Sequence, residues 1–167
     1  MFQCLELAKG NVMDREITKK DVWNRAIVLL ARREYSKGEL RKKLLLISGD
    51  IDVESVLNDL ELAGYQSDLR FVESFIRMRV SQGHGLMRIR FDLKRKGVDE
   101  ALIEEVLEAS EVDWFELAFE LYERKYAISS KPLDYKERAR RVRFMSQRGF
   151  SFDEIQYAEN EVLKNTN

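Results

Sequence analysis

One proline, one cysteine and one histidine in 167 residues already narrow what this chain can be. Cys4 has no partner for an intrachain disulfide, which fits a reducing cytoplasm. Pro132 is the single proline and there are only eight glycines, so helices can run with few breaks. No apolar run approaches the ~20 residues that a membrane-spanning helix needs, so no membrane association is expected. The opening MFQCLELAKGNVMD is too short and too acidic for a secretory signal and reads as part of a loosely ordered leader, residues 1–18.

What is abundant is helix-forming and charged. Hydrophobic residues make up 44% and charged residues 35%, enough apolar side chain to build a core and too much for a disordered chain. The net charge of −1 conceals a repeated swing. Residues 77–97 hold seven basic residues against one acid, Asp92, and residues 99–123 then hold ten acids and no Lys or Arg. Residues 19–49 hold nine basic and three acidic side chains, and 50–64 hold five acids and no base. The swing returns between 131–148, seven basic and two acidic, and 153–163, four acidic and none basic. Duplicated helical units whose successive helices carry opposite charge give this pattern. They would present a cationic face to a polyanion and an acidic face elsewhere.

The duplication shows in register. Residues 88–107 lie over 140–159 at an offset of 52, with Leu93 on Met145, Gly97 on Gly149 and Ile103 on Ile155. At an offset of 49, Ser36, Leu40 and Leu44 fall under Gly85, Ile89 and Leu93; about two extra residues near Ile47–Asp50 then bring Val56 and Leu60 under Ile103 and Leu107. The period is about 50 residues, repeated three times, and each unit reads as three helices. Apolar stripes at helical spacing run through Trp23, Ala26, Ile27, Leu30 and Ala31; Phe71, Val72, Phe75 and Ile76; and Trp114, Leu117, Ala118 and Leu121.

Ser36-x-x-Glu39, Asp113-x-x-Glu116 and Ser151-x-x-Glu154 have the spacing of capping boxes at helix starts. Gly64-Tyr65, Gly97-Val98 and Gly149-Phe150 read as left-handed helix stops followed by a residue that folds back. AISSKPL at 127–133 reads as a loop, a hinge between units two and three. No alternating pattern suggests a strand. The expected fold is all-α: three tandem three-helix repeats over 19–64, 65–110 and 111–167, forming an elongated array open to curvature.

Three basic helices stacked side by side would make a stripe able to neutralise phosphates without reading sequence. Its candidates are Arg41, Lys42 and Lys43 in unit one; Arg88, Arg90, Lys94, Arg95 and Lys96 in unit two; and Arg138, Arg140, Arg141, Arg143 and Arg148 in unit three. The competing reading is a solvated helix face. The acidic helices would bind a protein partner or pair with the basic helix of a neighbouring unit; Glu104, Glu105 and Glu108 have no His or second acidic motif beside them to make a metal site. His84, in Gly83-His84-Gly85, has no supporting nucleophile or carboxylate and reads as a turn residue. The two glycines resemble a phosphate loop only superficially. Trp23, Phe71, Phe75, Trp114 and Phe119 read as core, whereas Tyr35, Tyr65, Tyr122 and Tyr126 could include one or two that stack on bases. No catalytic residues, metal or cofactor are expected.

YSKGELRKKL (35–44), GYQSDLRFVESFIRMR (64–79), the Gly83-x-Gly85 turn leading into RIRFDLKRKGV (88–98), and RRVRFMSQRGFSFDEI (140–155) resemble the bacterial RecX regulatory proteins, in order and with the family's spacing. The resemblance runs from about Trp23 to Ile155. Gln66 and Ser67 stand where the family usually has leucine and an aspartate. The resemblance implies tandem three-helix repeats that bind the RecA recombinase and its nucleoprotein filament, block filament growth, and suppress ATP hydrolysis and strand exchange. It also implies weak, sequence-independent DNA binding, and no catalytic set. The resulting expectation is a monomeric, cytoplasmic, non-enzymatic negative regulator of RecA in DNA repair and the SOS response. The alternatives are a nucleic-acid-binding helical module that acts without RecA and a purely protein-binding scaffold.

Overall fold

The computed structural model describes residues 16–126 and 134–165. Among these residues there are nine helices and no strand: α1 (Lys19–Leu30), α2 (Lys37–Leu44), α3 (Val53–Leu62), α4 (Asp68–Ser81), α5 (Leu86–Arg95), α6 (Glu100–Ala109), α7 (Trp114–Tyr126), α8 (Tyr135–Arg148) and α9 (Phe152–Asn165). The chain is an all-α repeat. Of the expected leader, residues 1–15 lie outside the described residues, and Thr18 caps the start of α1 in a box with Asp21. Residues 127–133 also lie outside them; α7 and α8 on either side share the third cluster, so the segment does not separate units two and three as expected.

Local chemistry sets the helix ends. Ser36, Asp52, Ser67, Asp99 and Asp134 each accept from free N–H groups in the first turn of the helix that follows. The boxes at Ser36–Glu39 and Ser151–Glu154 are closed in both directions. Gly64, Gly97 and Gly149 all take left-handed φ values, +74°, +76° and +94°. After each, the next amide reaches back five residues, Tyr65 to Leu60, Val98 to Leu93 and Phe150 to Met145. Gly83 does the same at φ +71°, with His84 donating to Arg79, so the glycine-histidine turn is a fourth helix stop.

Each three-helix unit has its own apolar cluster. The first centres on Val22, Ala26, Leu40, Leu57 and Leu60, the second on Phe71, Val72, Ile89, Leu93 and Ile103, the third on Ala118, Leu121, Tyr122, Met145 and Ile155. In every unit the third helix packs on both the first and the second. Two details differ from the periodic reading. The buried line of α1 is Val22–Ala26–Leu29, one position round from the expected face, with Trp23 and Ile27 at its margin. Trp114 packs on the second cluster and not the third, since it opens α7 at the point where the chain leaves unit two.

Units meet through the ends of their middle helices. Gly85 N–H donates to Arg148 C=O at 2.9 Å, and Met87 N–H to Gly149 C=O at 3.1 Å, so the start of α5 sits on the end of α8. One unit back, Ser36 Oγ donates to Lys96 C=O at 2.7 Å, which seats the start of α2 on the end of α5. Both seams need glycine. A Cβ on Gly38 would stand 2.6 Å from Lys96 O, one on Gly85 2.5 Å from Gly149 O, and one on Gly149 would overlap the Arg88 backbone.

Two substitutions separate seam from turn. A Cβ on Gly64 meets nothing within 4 Å, so Gly64→Ala should cost only the left-handed strain of about 1–2 kcal/mol. Gly149→Ala adds a clash with Arg88 and should cost clearly more. Denaturant titration of both variants compares them, and equal losses would mean that the α5–α8 seam contributes nothing.

A candidate nucleic-acid interface on the middle helices

The thirteen basic candidates all lie on α2, α5, α8 or the residue just after α5, and most are already paired. The carboxylates come chiefly from the third helix of the same unit. Arg41 holds Glu54 of α3. Arg90 makes a fork of two 2.7 Å bonds to Glu104 of α6, and Lys94 reaches Glu100 at 2.5 Å. Arg138 holds Glu159 of α9 at 3.0 Å. The expected pairing with a neighbouring unit's basic helix is therefore not the main pattern: each acidic helix lies against the basic helix of its own unit, because the two pack together over one cluster. The hydrogen bond from Arg41 holds Glu54 below its ordinary carboxylate value, and that from Arg90 does the same for Glu104.

The remaining ion pairs lie elsewhere. Lys96 crosses the α2–α5 seam to Glu39 at 2.6 Å. Burial pushes the Glu39 carboxyl up, and the bonds from Arg33 and Lys96 more than offset it, leaving a net lowering. Arg88 shares Asp92 with Arg79, at 3.2 and 3.0 Å. Asp92, the one acid in the basic stretch, is buried under them. Arg140 and Arg141 share Glu137.

Arg141 is not a surface residue. It is 5% exposed, its guanidinium lies 4.5 Å from the Tyr126 ring centre, and its Nη1 lies 3.4 Å from the Tyr122 hydroxyl. The 49- and 52-residue offsets put it at the position that Leu40 and Ile89 fill in the first two units. The third cluster thus replaces an aliphatic side chain by an arginine held between two tyrosines and a glutamate. Tyr35 and Tyr122 are buried as well, which removes them as stacking platforms; Tyr65 stays half exposed, edge-on to Trp23.

The candidates with no carboxylate partner among the described residues are Lys42, Lys43, Arg95, Arg143 and Arg148. Lys42, Lys43, Arg95 and Arg143 are exposed. Lys42 and Arg143 occupy equivalent register positions on α2 and α8, and the same position on α5 is Phe91, 54% exposed, with the Arg95 guanidinium over its ring. Arg143 and Arg140 also line a groove of about 690 Å³ along α8, beside Tyr135, which is 90% exposed. The array thus carries a short line of free cations with aromatics interleaved, flanked by exposed ion pairs. Such pairs contribute only about 0–1 kcal/mol, so an arriving phosphate can compete for their cations. Among the described residues no group of three His, Cys, Asp or Glu is placed to hold a metal, and no helix is long and apolar enough to cross a membrane.

Fold and surface together define a tandem three-helix repeat protein. Comparison with known proteins makes that specific. Residues 67–107 match the family model described as RecX, second three-helix domain, and residues 111–158 match RecX, third three-helix domain. A regulatory protein RecX from Chromohalobacter salexigens is 41% identical over 142 residues, covering 84% of this chain and 92% of that protein. One from Vibrio campbellii is 42% identical over 134 residues, covering 80% and 86%. The crystal structure of RecX from Lactobacillus salivarius shares the fold at TM-score 0.69 and 22% identity, over 86% of this chain and 96% of that one. The chain belongs to the RecX family of regulatory proteins. Its departure at Gln66–Ser67 is structural: Gln66 is buried at the boundary of units one and two, donating to Tyr35 C=O and to Asp68, while Ser67 caps α4.

Arg140 and Arg141 are neighbours with opposite expectations. Arg141→Ala removes one partner each from Glu137 and Tyr122 and empties a buried position, and should destabilise by about 1–3 kcal/mol. Arg140, 74% exposed, should tolerate Ala within about 0.5 kcal/mol. Chemical denaturation of the two variants decides it. The lowered Glu39 contributes stability above its unfolded value of 4.5, and that stability is lost as pH falls through the lower folded value. Glu39→Gln should therefore flatten the fall in stability below pH 4.5, measured by urea unfolding at a series of pH values; an unchanged slope would exclude the α2–α5 ion pair as a contributor.

Proposed function

We propose that this chain is a cytoplasmic, monomeric negative regulator of RecA, binding the RecA nucleoprotein filament and limiting its extension, ATP hydrolysis and strand exchange in DNA repair and the SOS response. Family membership, at 41% identity over most of the chain, carries this reading. The three units, taken as 19–64, 65–110 and 111–167, lie along a filament that is itself repetitive. The middle helices face DNA phosphates and other faces contact RecA subunits. Binding alone obstructs subunit addition, so no bond-making step and no cofactor is involved.

The DNA-facing set within the thirteen candidates narrows to the cations free of carboxylates: Lys42, Lys43, Arg95, Arg143 and Arg148. Arg41, Arg88, Arg90, Lys94, Lys96, Arg138 and Arg140 reinforce them only by exchanging a carboxylate for a phosphate, and Arg141 takes no part. Contact of this kind is weak, sequence-independent and salt-sensitive.

Single-strand-dependent ATP hydrolysis by the cognate RecA, titrated below one copy of this protein per RecA, tests the reading. Strong inhibition is expected. Inhibition only when the protein exceeds free DNA sites would favour a nucleic-acid-binding module that acts without RecA, and none from folded protein would overturn the proposal. The triple variant Lys42→Glu, Arg95→Glu, Arg143→Glu should lose about tenfold or more in inhibition. For single-stranded DNA, three lost phosphate contacts should lower the slope of log affinity on log salt by about 2. The folded variant inhibiting like the parent would remove these residues from the interface.

A further inference from the structure

The turn between α4 and α5 gathers more positive charge than anything around it neutralises. Arg79 approaches from α4 and Arg88 from α5, both bonded to the same Oδ2 of buried Asp92. Arg148 comes from the end of α8, its Nη1 donating to Gln82 C=O at 3.1 Å. Arg124 of α7 lies close by: a Cβ on Gly83 would stand 3.6 Å from its Nη2. Two guanidiniums thus share one carboxylate, and two more stand at the same turn. Two polar atoms in this place are buried and unpartnered, Arg79 Nε and His84 Nδ1. The main chain supplies no anion cradle, since the Gly85 and Met87 amides already donate to α8.

We propose that this seam is an oxyanion site that takes a phosphate group, held by the Arg79, Arg88, Arg124 and Arg148 guanidiniums with His84 beside it. The phosphate offsets the excess charge that Asp92 alone leaves. It also ties α5 to α8, since its ligands come from both sides of the seam. A backbone phosphodiester of a nucleic acid and free phosphate share the required chemistry. Only the first source connects to the DNA-facing role above; the site itself stands without RecA.

His84 reports on the site. Burial lowers its pKa from the ordinary value of 6.5, and the charges of Arg79, Arg148 and Arg88 lower it further, against a smaller opposing pull from Asp92. The neutral imidazole is therefore favoured in the unliganded protein. An anion among the arginines reverses that field, and an opposite charge within about 4–6 Å raises such a pKa by about 1 unit or more.

His84 is the only histidine, so one imidazole resonance in the full chain suffices. Inorganic phosphate is titrated in at constant ionic strength against chloride, with the His84 titration followed by NMR. A saturable shift and a rise of about 1 unit in its pKa are expected. Arg148→Gln and Arg124→Gln should each weaken phosphate about tenfold, the scale of one charged hydrogen bond. Arg25→Gln, exposed on α1 and outside both the cluster and the DNA-facing set, should leave it unchanged. A short oligothymidylate without terminal phosphates then separates the sources: the same His84 response assigns a backbone phosphodiester, and a response to phosphate alone assigns the free anion. No response to either probe, or one that Arg148→Gln and Arg124→Gln leave intact, overturns the site. That failure would leave the RecA reading untouched, since ATP hydrolysis is measured separately.

Discussion

Amides at the start of α5 donate to carbonyls at the end of α8, and the arrangement of the array depends on that contact. The end of one helix carries unsatisfied carbonyls and partial negative charge; the start of the next carries free N–H groups and partial positive charge. Setting one on the other satisfies both without a capping side chain, which is why Gly85 caps α5 with no side-chain bond at all. The same economy operates at the start of α2, with the Ser36 hydroxyl as donor. Close approach of main chains demands glycine on both faces, and Gly38, Gly85, Gly97 and Gly149 supply it.

Because the middle helices meet end to end, their outward positions become equivalent along the array. The third helix of each unit then decides which cations stay available. Glu54, Glu104, Glu100 and Glu159 take Arg41, Arg90, Lys94 and Arg138. Lys42, Arg95 and Arg143 face away from those carboxylates and remain free. The net charge of −1 therefore conceals a molecule in which many cations are held by carboxylates while others stay unpaired on the middle helices and at one seam.

Much of this was legible in the sequence. Periodicity and the offsets of 49, 47 and 52 located the repeats, because a helix that buries one face must repeat its apolar residues every turn and a duplicated unit must repeat its stops. The left-handed glycines were legible for the same reason. The pairing was not, because the alternation of basic and acidic stretches says which helices attract and not which side chains face each other. Arg141 could have been placed: the 52-residue offset sets it on Ile89, a core position, although an arginine's charge alone argues for the surface. Trp114 shows the limit of a stripe, which fixes the inward face and leaves open which neighbour receives it. The arginine cluster was only half visible: Arg79 and Arg88 stand in one basic stretch, whereas Arg124 and Arg148 are far from them in the chain and reach them only through the fold.

The α5–α8 seam is bridged by main-chain hydrogen bonds and asks for glycine at Gly85 and Gly149. It therefore places almost no demand on the identity of the residues around it, and units can drift apart in sequence while still joining. A unit bounded by the same glycines could be spliced between the second and third, or removed, without redesigning its neighbours. The length of such an array is then a quantity that insertion and deletion can adjust, as the markings of a ruler can be extended, independently of what each segment has come to bind.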